Sequence, residues 1–303
     1  MHYSIFNKHY NVLVHETTFI LTGGAGNQLF GIYAGLYYQN SLSARVNFVY
    51  ESSGNYSSLS SILETLEFTP TLKFSSEPTT HSTILGKSNN YFRNKIKIYN
   101  KLLNMHNRKY LSPVLSFDSN LLEAKNAKSI YGYFQTAFYY DKVAELGFVN
   151  PNLINPSKWY EKNVVKIKVD SPIVMHVRRG DYLNHSRIFQ VLDRDYYLNA
   201  INTLPGDLIR NPIWIFSDDE INAQELIKYL PDRNYVVIDQ IDQKPIEVLL
   251  LMSAGVAHIT ANSTFSWWSA KLSSSSRHIV APKTWFKDRP TPKDLLPKNW
   301  RYI

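Results

Sequence analysis

The chain of 303 residues contains no cysteine. A disulfide framework and a thiolate metal site are both excluded, and the composition suits a reducing compartment. No apolar run is long enough to span a bilayer. The greasiest stretch, Val248 to Ala257, is about half the length required and sits beside Glu247. The first residues, MHYSIFNKHYNVLVHETT, lack an apolar leader and a small-residue cleavage site, which reads as a cytoplasmic protein with no signal peptide. The histidines show no H-x-x-x-H spacing, so no zinc motif is present. Gly and Pro stand at everyday levels and no repeat appears, leaving an ordinary globular chain.

Acidic residues are missing from one long stretch. None falls between Glu77 and Asp118, while Lys87, Arg93, Lys95, Lys97, Lys101, Arg108 and Lys109 all do. Phe92, Ile96, Tyr99 and Leu103 in that stretch share one face of a helix. Two uses fit: a solvated surface helix, which is the commoner, or a basic amphipathic helix in peripheral contact with an anionic inner leaflet. The formal charge of +8 favours an anionic partner, whether nucleic acid, lipid headgroup or phosphorylated metabolite. Nucleic acid is disfavoured, because the basic residues cluster away from the motifs and no binding motif accompanies them.

Strand and helix signals alternate along the chain. Thr17–Leu21 and Arg45–Tyr50 read as strands around a helix over Leu29–Tyr38, with loops at 52–61 and 71–90. After an Asn/Pro-rich linker at 150–156, a second series begins. Its strands are Ile173–Val177, Ile213–Phe216, Tyr235–Ile238, His258–Thr260 and Ile279–Ala281, and its helices Tyr196–Thr203, Ile246–Ser253 and Ser263–Leu272. Ser217 reads as the cap before Asp218, Asp219 and Glu220. Such alternation predicts an α/β protein with parallel sheets and a ligand beyond the strands' carboxyl ends.

Four motifs stand at those ends. In His176-Val-Arg178-Arg179-Gly180-Asp181, two arginines released by a glycine suit a diphosphate, since guanidinium presents a fork of donors that never deprotonates. For Arg179 and Asp181, an ion pair tying the turn fits equally well. In Asn262-Ser263-Thr264-Phe265, free N–H groups and a helix dipole make an anion site, which plain capping by Asn262 or Ser263 would not preclude. The block Gly23-Gly24-Ala25-Gly26-Asn27-Gln28 matches neither a dinucleotide fingerprint nor a P-loop. Its glycines permit close approach of a ligand, and Asn27 and Gln28 contact a sugar or phosphate, or cap a helix. Asp218 and Asp219 either accept the N–H edge of guanine or favour the dipole of the next helix. The D-x-D at Asp193 and Asp195 precedes a helix and reads as capping, so no metal or other cofactor is expected.

GGAGNQLF, YGYFQTAFYY (131–140), HVRRGDYL, FSDD, NSTFSWWSAKL and APKTWF (281–286) occur in the order seen in bacterial α-1,2-fucosyltransferases, which the chain resembles from about residue 22 to 286. The family more often has Leu at the position of Ala25 and Gly at that of Ser269. The resemblance implies a GT-B architecture of two facing Rossmann-like domains, with an acceptor-side domain over 1–155 and a GDP-fucose-binding domain over 156–303. It implies metal-independent, inverting transfer of L-fucose from GDP-fucose, a co-substrate, to the 2-hydroxyl of a galactose-containing acceptor, free or lipid-linked. Arg178 would bind the β-phosphate and His176 would lie along the nucleotide. Asp218 or Asp219 would read guanine, Ser263, Thr264 and Phe265 would hold the diphosphate, and Gly24, Asn27 and Gln28 would face the cleft. Asp181 is the nearest carboxylate to serve as general base. A GDP-fucose transferase of α-1,6 or protein-linked type, or a non-catalytic sugar- or nucleic-acid-binding protein, remains the alternative.

Overall fold

The structure is a computed structural model that describes residues 15–50, 62, 65–68, 73–74, 109–148, 150–180, 182 and 186–303. The basic stretch between Glu77 and Arg108, the loops at 52–61 and 71–90 save residues 73–74, the N-terminal segment through residue 14, and Asp181 lie outside the described residues.

The chain opens with β1 (Glu16–Leu21), α1 (Ala25–Leu42) and β2 (Arg45–Tyr50). The helix is longer than its apolar pattern suggested, because Ala25 to Gln28 are already helical. Its two inner glycines explain how closely it lies on the sheet. A Cβ on Gly31 would stand 2.6 Å from Leu21 Cδ2, and one on Gly35 would stand 2.5 Å from the Phe48 ring. Ser43 ends the helix in the left-handed region (φ 48°) and donates its N–H to Gln39.

Short strands β3 (Leu66–Glu67), β4 (Lys73–Phe74), β5 (Lys109–Leu111) and β6 (Ser129–Tyr131) follow, then α2 (Ala137–Glu145) and β7 (Asn152–Leu153). Three of these five strands join β1 and β2 in the first sheet: its order is β4-β2-β1-β6-β5, parallel throughout, while β3 and β7 form a separate antiparallel pair. The strands at 109–111 and 129–131 carry no two-residue alternation long enough to announce them.

The second half runs α3 (Lys158–Asp170), β8 (Ile173–Val177), α4 (Arg194–Asn202), β9 (Ile213–Ser217), α5 (Glu220–Ile227), β10 (Tyr235–Val237), α6 (Pro245–Met252), β11 (Ala257–Ile259), α7 (Thr264–Leu272), β12 (His278–Ala281) and β13 (Arg301–Tyr302). Its sheet is ordered β10-β9-β8-β11-β12-β13, also parallel throughout. Numbered within this half, that order is 3-2-1-4-5-6, the doubly wound arrangement whose direction reverses between β8 and β11. Both of those strands are buried along their whole length, as a sheet covered on two faces requires.

An apolar cluster crosses from one half to the other. Phe30 of α1 packs on Trp267 and Trp268 of α7 with ring centroids 4.7 and 4.9 Å away, and Tyr33 stacks on Trp268 at 4.9 Å. Both tryptophans are fully buried, so they hold the two sheets together. The crossover segment is pinned by buried Glu247, which accepts from the backbone and side chain of Ser157. Among the described residues no helix is long and apolar enough to cross a membrane.

Candidate active site

The reversal point of the second sheet lies between the tips of β8 and β11, and the two motifs that follow those strands stand there. After β8 the backbone turns sharply around one carboxylate. Asp218, at the tip of neighbouring β9, holds Arg178 Nη1 at 2.8 Å with one oxygen and accepts the Arg179 N–H at 2.8 Å with the other. Gly180 lies so close to Asp218 that any Cβ there would collide with the carboxylate. The Arg178 guanidinium also covers the Tyr182 ring at 5.2 Å and keeps about a quarter of its side chain (28%) exposed. Arg179 turns inward: its Nη1 donates to the Leu192 carbonyl at 2.6 Å, and its guanidinium lies over Tyr197.

His176 is buried beneath this turn, with its ring 5.8 Å from Phe265. Burial, reinforced by Arg178, pushes its pKa down to about 3, so it is a neutral imidazole at physiological pH. Its Nδ1 is buried without a hydrogen-bond partner.

At the tip of β11, Asn262 serves as a strut. Its amide donates to the carbonyls of Gln190 and Trp285, and its own carbonyl accepts from Tyr182 Oη at 2.8 Å. Ser263 caps α7 by accepting from Phe265 N–H. Thr264 and Phe265 are half-buried at the start of that helix. The first turn contains no acidic residue, so nothing in it offsets the positive end of the dipole.

The glycine block brings a second helix start to the same place. Gly23 takes φ +74°, and Gly24 has open space where a Cβ would be. Gly26 abuts the other half directly: a Cβ there would stand 2.5 Å from Thr264 C and 2.8 Å from Phe265 N. The start of α1, unlike that of α7, has no side-chain cap, and like it has no acidic residue in its first turn. Gln28 does not face the cleft. It is fully buried, donates to Gly23 O and accepts from Ile62 N–H, so it braces the loop. Asn27 is half-buried, and its Oδ1 accepts from Gln135 Nε2 at 3.1 Å.

The two aspartates after β9 take different parts. Asp218 fastens the arginine turn, whereas Asp219 caps α5 through the N–H and side chain of Asn222, which holds its carboxyl below the usual range. Ser217 is therefore not the cap; its hydroxyl donates to Val177 and accepts from the Asp219 N–H. Asp193 caps α4 and Asp195 pairs with Arg194, so the D-x-D sequence is a helix start here. Among the described residues, no group of three or more His, Asp or Glu side chains is placed to share a metal ion.

Sequence reasoning assigned no role to Tyr182 or Gln135, and it read Gly26 as making room for a ligand where the structure places the Thr264 backbone. Tyr182 joins the two anion loops, Gly26 sets their distance from α1, and Gln135 holds Asn27. Gln135 follows β6, which borders β1 at the reversal point of the first sheet, and the loop after β1 meets the loop after β11 where Gly26 touches Thr264. The Gln135 loop is strained: Phe134 sits at φ +51°, costing about 1–3 kcal/mol for a bulky residue. Burial of the Phe134 ring against Phe19 and Tyr139 keeps it there.

The chain is 32% identical over 177 residues to the O-antigen biosynthesis glycosyltransferase WbnK of Escherichia coli, a match covering 54% of this chain and 57% of that protein. It is 31% identical over 145 residues to an alpha-1,2-colitosyltransferase of the same organism, covering 44% and 48%. The matches thus span about half the length of these curated relatives. A glycosyl transferase family 9 structure from Veillonella parvula superposes over 95% of this chain and 86% of its own, with a TM-score of 0.51 at 12% identity, which supports the GT-B fold. Residues 40–303 match the model of glycosyl transferase family 11, and the chain belongs to that family.

Proposed function

We propose that this glycosyltransferase moves L-fucose from GDP-fucose, with inversion, to the 2-hydroxyl of a galactose-containing glycan. One observation carries the reading. Two helix starts, neither with an acid in its first turn, abut at Gly26 and Thr264, and Arg178 is tied to the second through Tyr182 and Asn262. Like dipole ends repel, and a diphosphate lying across both starts would offset that repulsion while accepting from their free N–H groups. The names of the relatives support a deoxysugar donor and an O-antigen type of acceptor.

In this reaction the acceptor oxygen attacks the anomeric carbon from the face opposite GDP. The bond to the β-phosphate oxygen breaks with its electron pair leaving on GDP, and the hydroxyl proton passes to a base. Charge grows on the diphosphate as the sugar becomes oxocarbenium-like, and Arg178 with the two helix starts stabilises that charge. This assigns leaving-group stabilisation to protein groups alone, so no cofactor is required. Asp181, next to Gly180 in sequence, is the proposed base. His176, Thr264 and Phe265 would line the nucleotide, and Asp218 would act through Arg178.

The test is incubation of the protein with GDP-fucose and a panel of galactosides, free and lipid-linked, with linkage analysis of the product. An α-1,2-fucosylated galactoside is expected. A product of α-1,6 linkage, or transfer from a colitosyl donor only, would replace the reading with one of its neighbours. Failure to use any sugar nucleotide would leave a binding protein.

A further inference from the structure

We infer that Tyr182 is a positioning residue: it sets the spacing between Arg178 and the start of α7, and that spacing makes the site favour a diphosphate over a monophosphate. This rests on the proposed function, because it takes Arg178 and the α7 start to hold one nucleotide. The Tyr182 side chain is fixed by directional contacts. Its hydroxyl donates to the Asn262 carbonyl at 2.8 Å, a bond with only one sense, since a carbonyl oxygen cannot donate. Its ring stacks on Phe189 with centroids 4.3 Å apart and planes within 9° of parallel. The Arg178 guanidinium lies over the ring, 5.2 Å from the centroid.

The anchors are themselves held. Asn262 is buried and its amide donates to Gln190 O and Trp285 O, so its carbonyl is a fixed point one residue before Ser263, the cap of α7. Phe189 is paired with Phe286 by a backbone bridge and by rings 5.8 Å apart. In the sheet β8 runs between β9 and β11. Asp218 therefore grips Arg178 from the β9 flank, while Tyr182, tied to Asn262, supports it from the β11 flank.

A phenylalanine would fill the same space and stack as well. The hydroxyl adds one thing, a tie between the loop after β8 and the loop after β11, and burial of Tyr182 shields that tie from water. Two contacts to one ligand reinforce each other only when their separation matches the ligand. A diphosphate reaching from the α7 start to Arg178 uses both contacts, so its affinity depends on the tie. A monophosphate uses one of them, and its affinity does not.

The discriminating change is Tyr182→Phe, with GDP and GMP binding measured by calorimetry on protein shown by its melting curve to be folded at the assay temperature. GDP affinity is expected to fall roughly 5- to 10-fold and GMP affinity by less than about twofold. A hydroxyl that serves only the fold would lower Tm and leave the ratio of the two affinities unmoved, which overturns the positioning role. A wild type that binds both nucleotides equally overturns it too. If Tyr182→Phe does not fold, Phe189→Leu removes the stacked ring, keeps the hydroxyl and should narrow the ratio in the same direction; an unchanged ratio there is equally fatal. A narrowed ratio in a protein that transfers no sugar retains the role and discards the function. An unmoved ratio in a protein that transfers fucose removes the positioning role alone, and a wild type that binds neither nucleotide overturns both.

Discussion

Arg178 and Asp218 meet at 2.8 Å across the tips of two neighbouring strands, and the same carboxylate also receives the backbone of Arg179. One acid therefore fixes both the direction of the guanidinium and the path of the chain that carries it. The pair remains part exposed, so its value lies in orientation more than in stability.

Arg178→Lys tests that orientation. Lysine keeps the charge but loses the planar fork, so one nitrogen can no longer serve Asp218 while another serves a phosphate. The variant is expected to fold and to lose about 2–4 kcal/mol of transition-state stabilisation, roughly 30- to 1,000-fold in rate. Initial rates with a melting curve check it; normal turnover would assign Arg178 to the fold.

Gly26→Ala tests the abutting helix starts. The new methyl would meet the Thr264 backbone, which cannot swing aside as a side chain could. Overpacking of this kind costs typically about 1–3 kcal/mol, and here it also moves the two donor clusters apart. A lower Tm together with weaker GDP binding by calorimetry is expected. A stable variant with unchanged GDP affinity would show that the two starts do not act on one ligand.

Asp181→Asn separates proton removal from phosphate binding. If Asp181 is the base, GDP affinity persists while turnover falls about 10²–10⁴-fold. Parallel loss of both would show that the carboxylate supports the arginines instead. GDP titration and initial rates decide between these outcomes.

If Arg178 and the helix starts neutralise the leaving group as proposed, transfer continues in excess chelator. Complete loss in chelator, restored by magnesium or manganese, would return Asp193 and Asp195 to consideration.

Acid should destabilise the protein through its buried histidines. His258 has its pKa pushed down to about 4 by burial, against an ordinary value of 6.5, and His176 is depressed to about 3. Both are neutral in the fold, whereas the unfolded chain takes up protons below pH 6.5. Their contribution is thus complete above about pH 6.5 and is lost as pH falls towards 4 and 3. Each accounts for at most about 1.4 kcal/mol per pH unit within its window. Urea midpoints between pH 7 and 4 should fall less steeply in His258→Gln, and an unchanged slope would contradict the burial.

The primary sequence by itself determined the alternation of strands and helices and which loops stand at the strand tips. Arg45–Tyr50 and Ile173–Val177 have the bounds their patterns suggested, because buried parallel strands are short apolar runs between polar turns. The reading of Asp193 as a cap was legible for a similar reason, since capping is settled within three residues. The chain pattern could not say which member of a polar pair meets the ligand and which braces the loop. Asn27 and Gln28 are neighbours, as are Arg178 and Arg179, yet Gln28 is committed to Gly23 and Ile62, and Arg179 to Leu192. Those partners lie up to 34 residues away and are brought near only by packing. The Asn27–Gln135 contact spans 108 positions and exists because β1 and β6 are adjacent in a sheet. Local sequence fixes propensity over a few residues; long-range register, set by burying two sheets against one shared core, chose the residues that line the cleft.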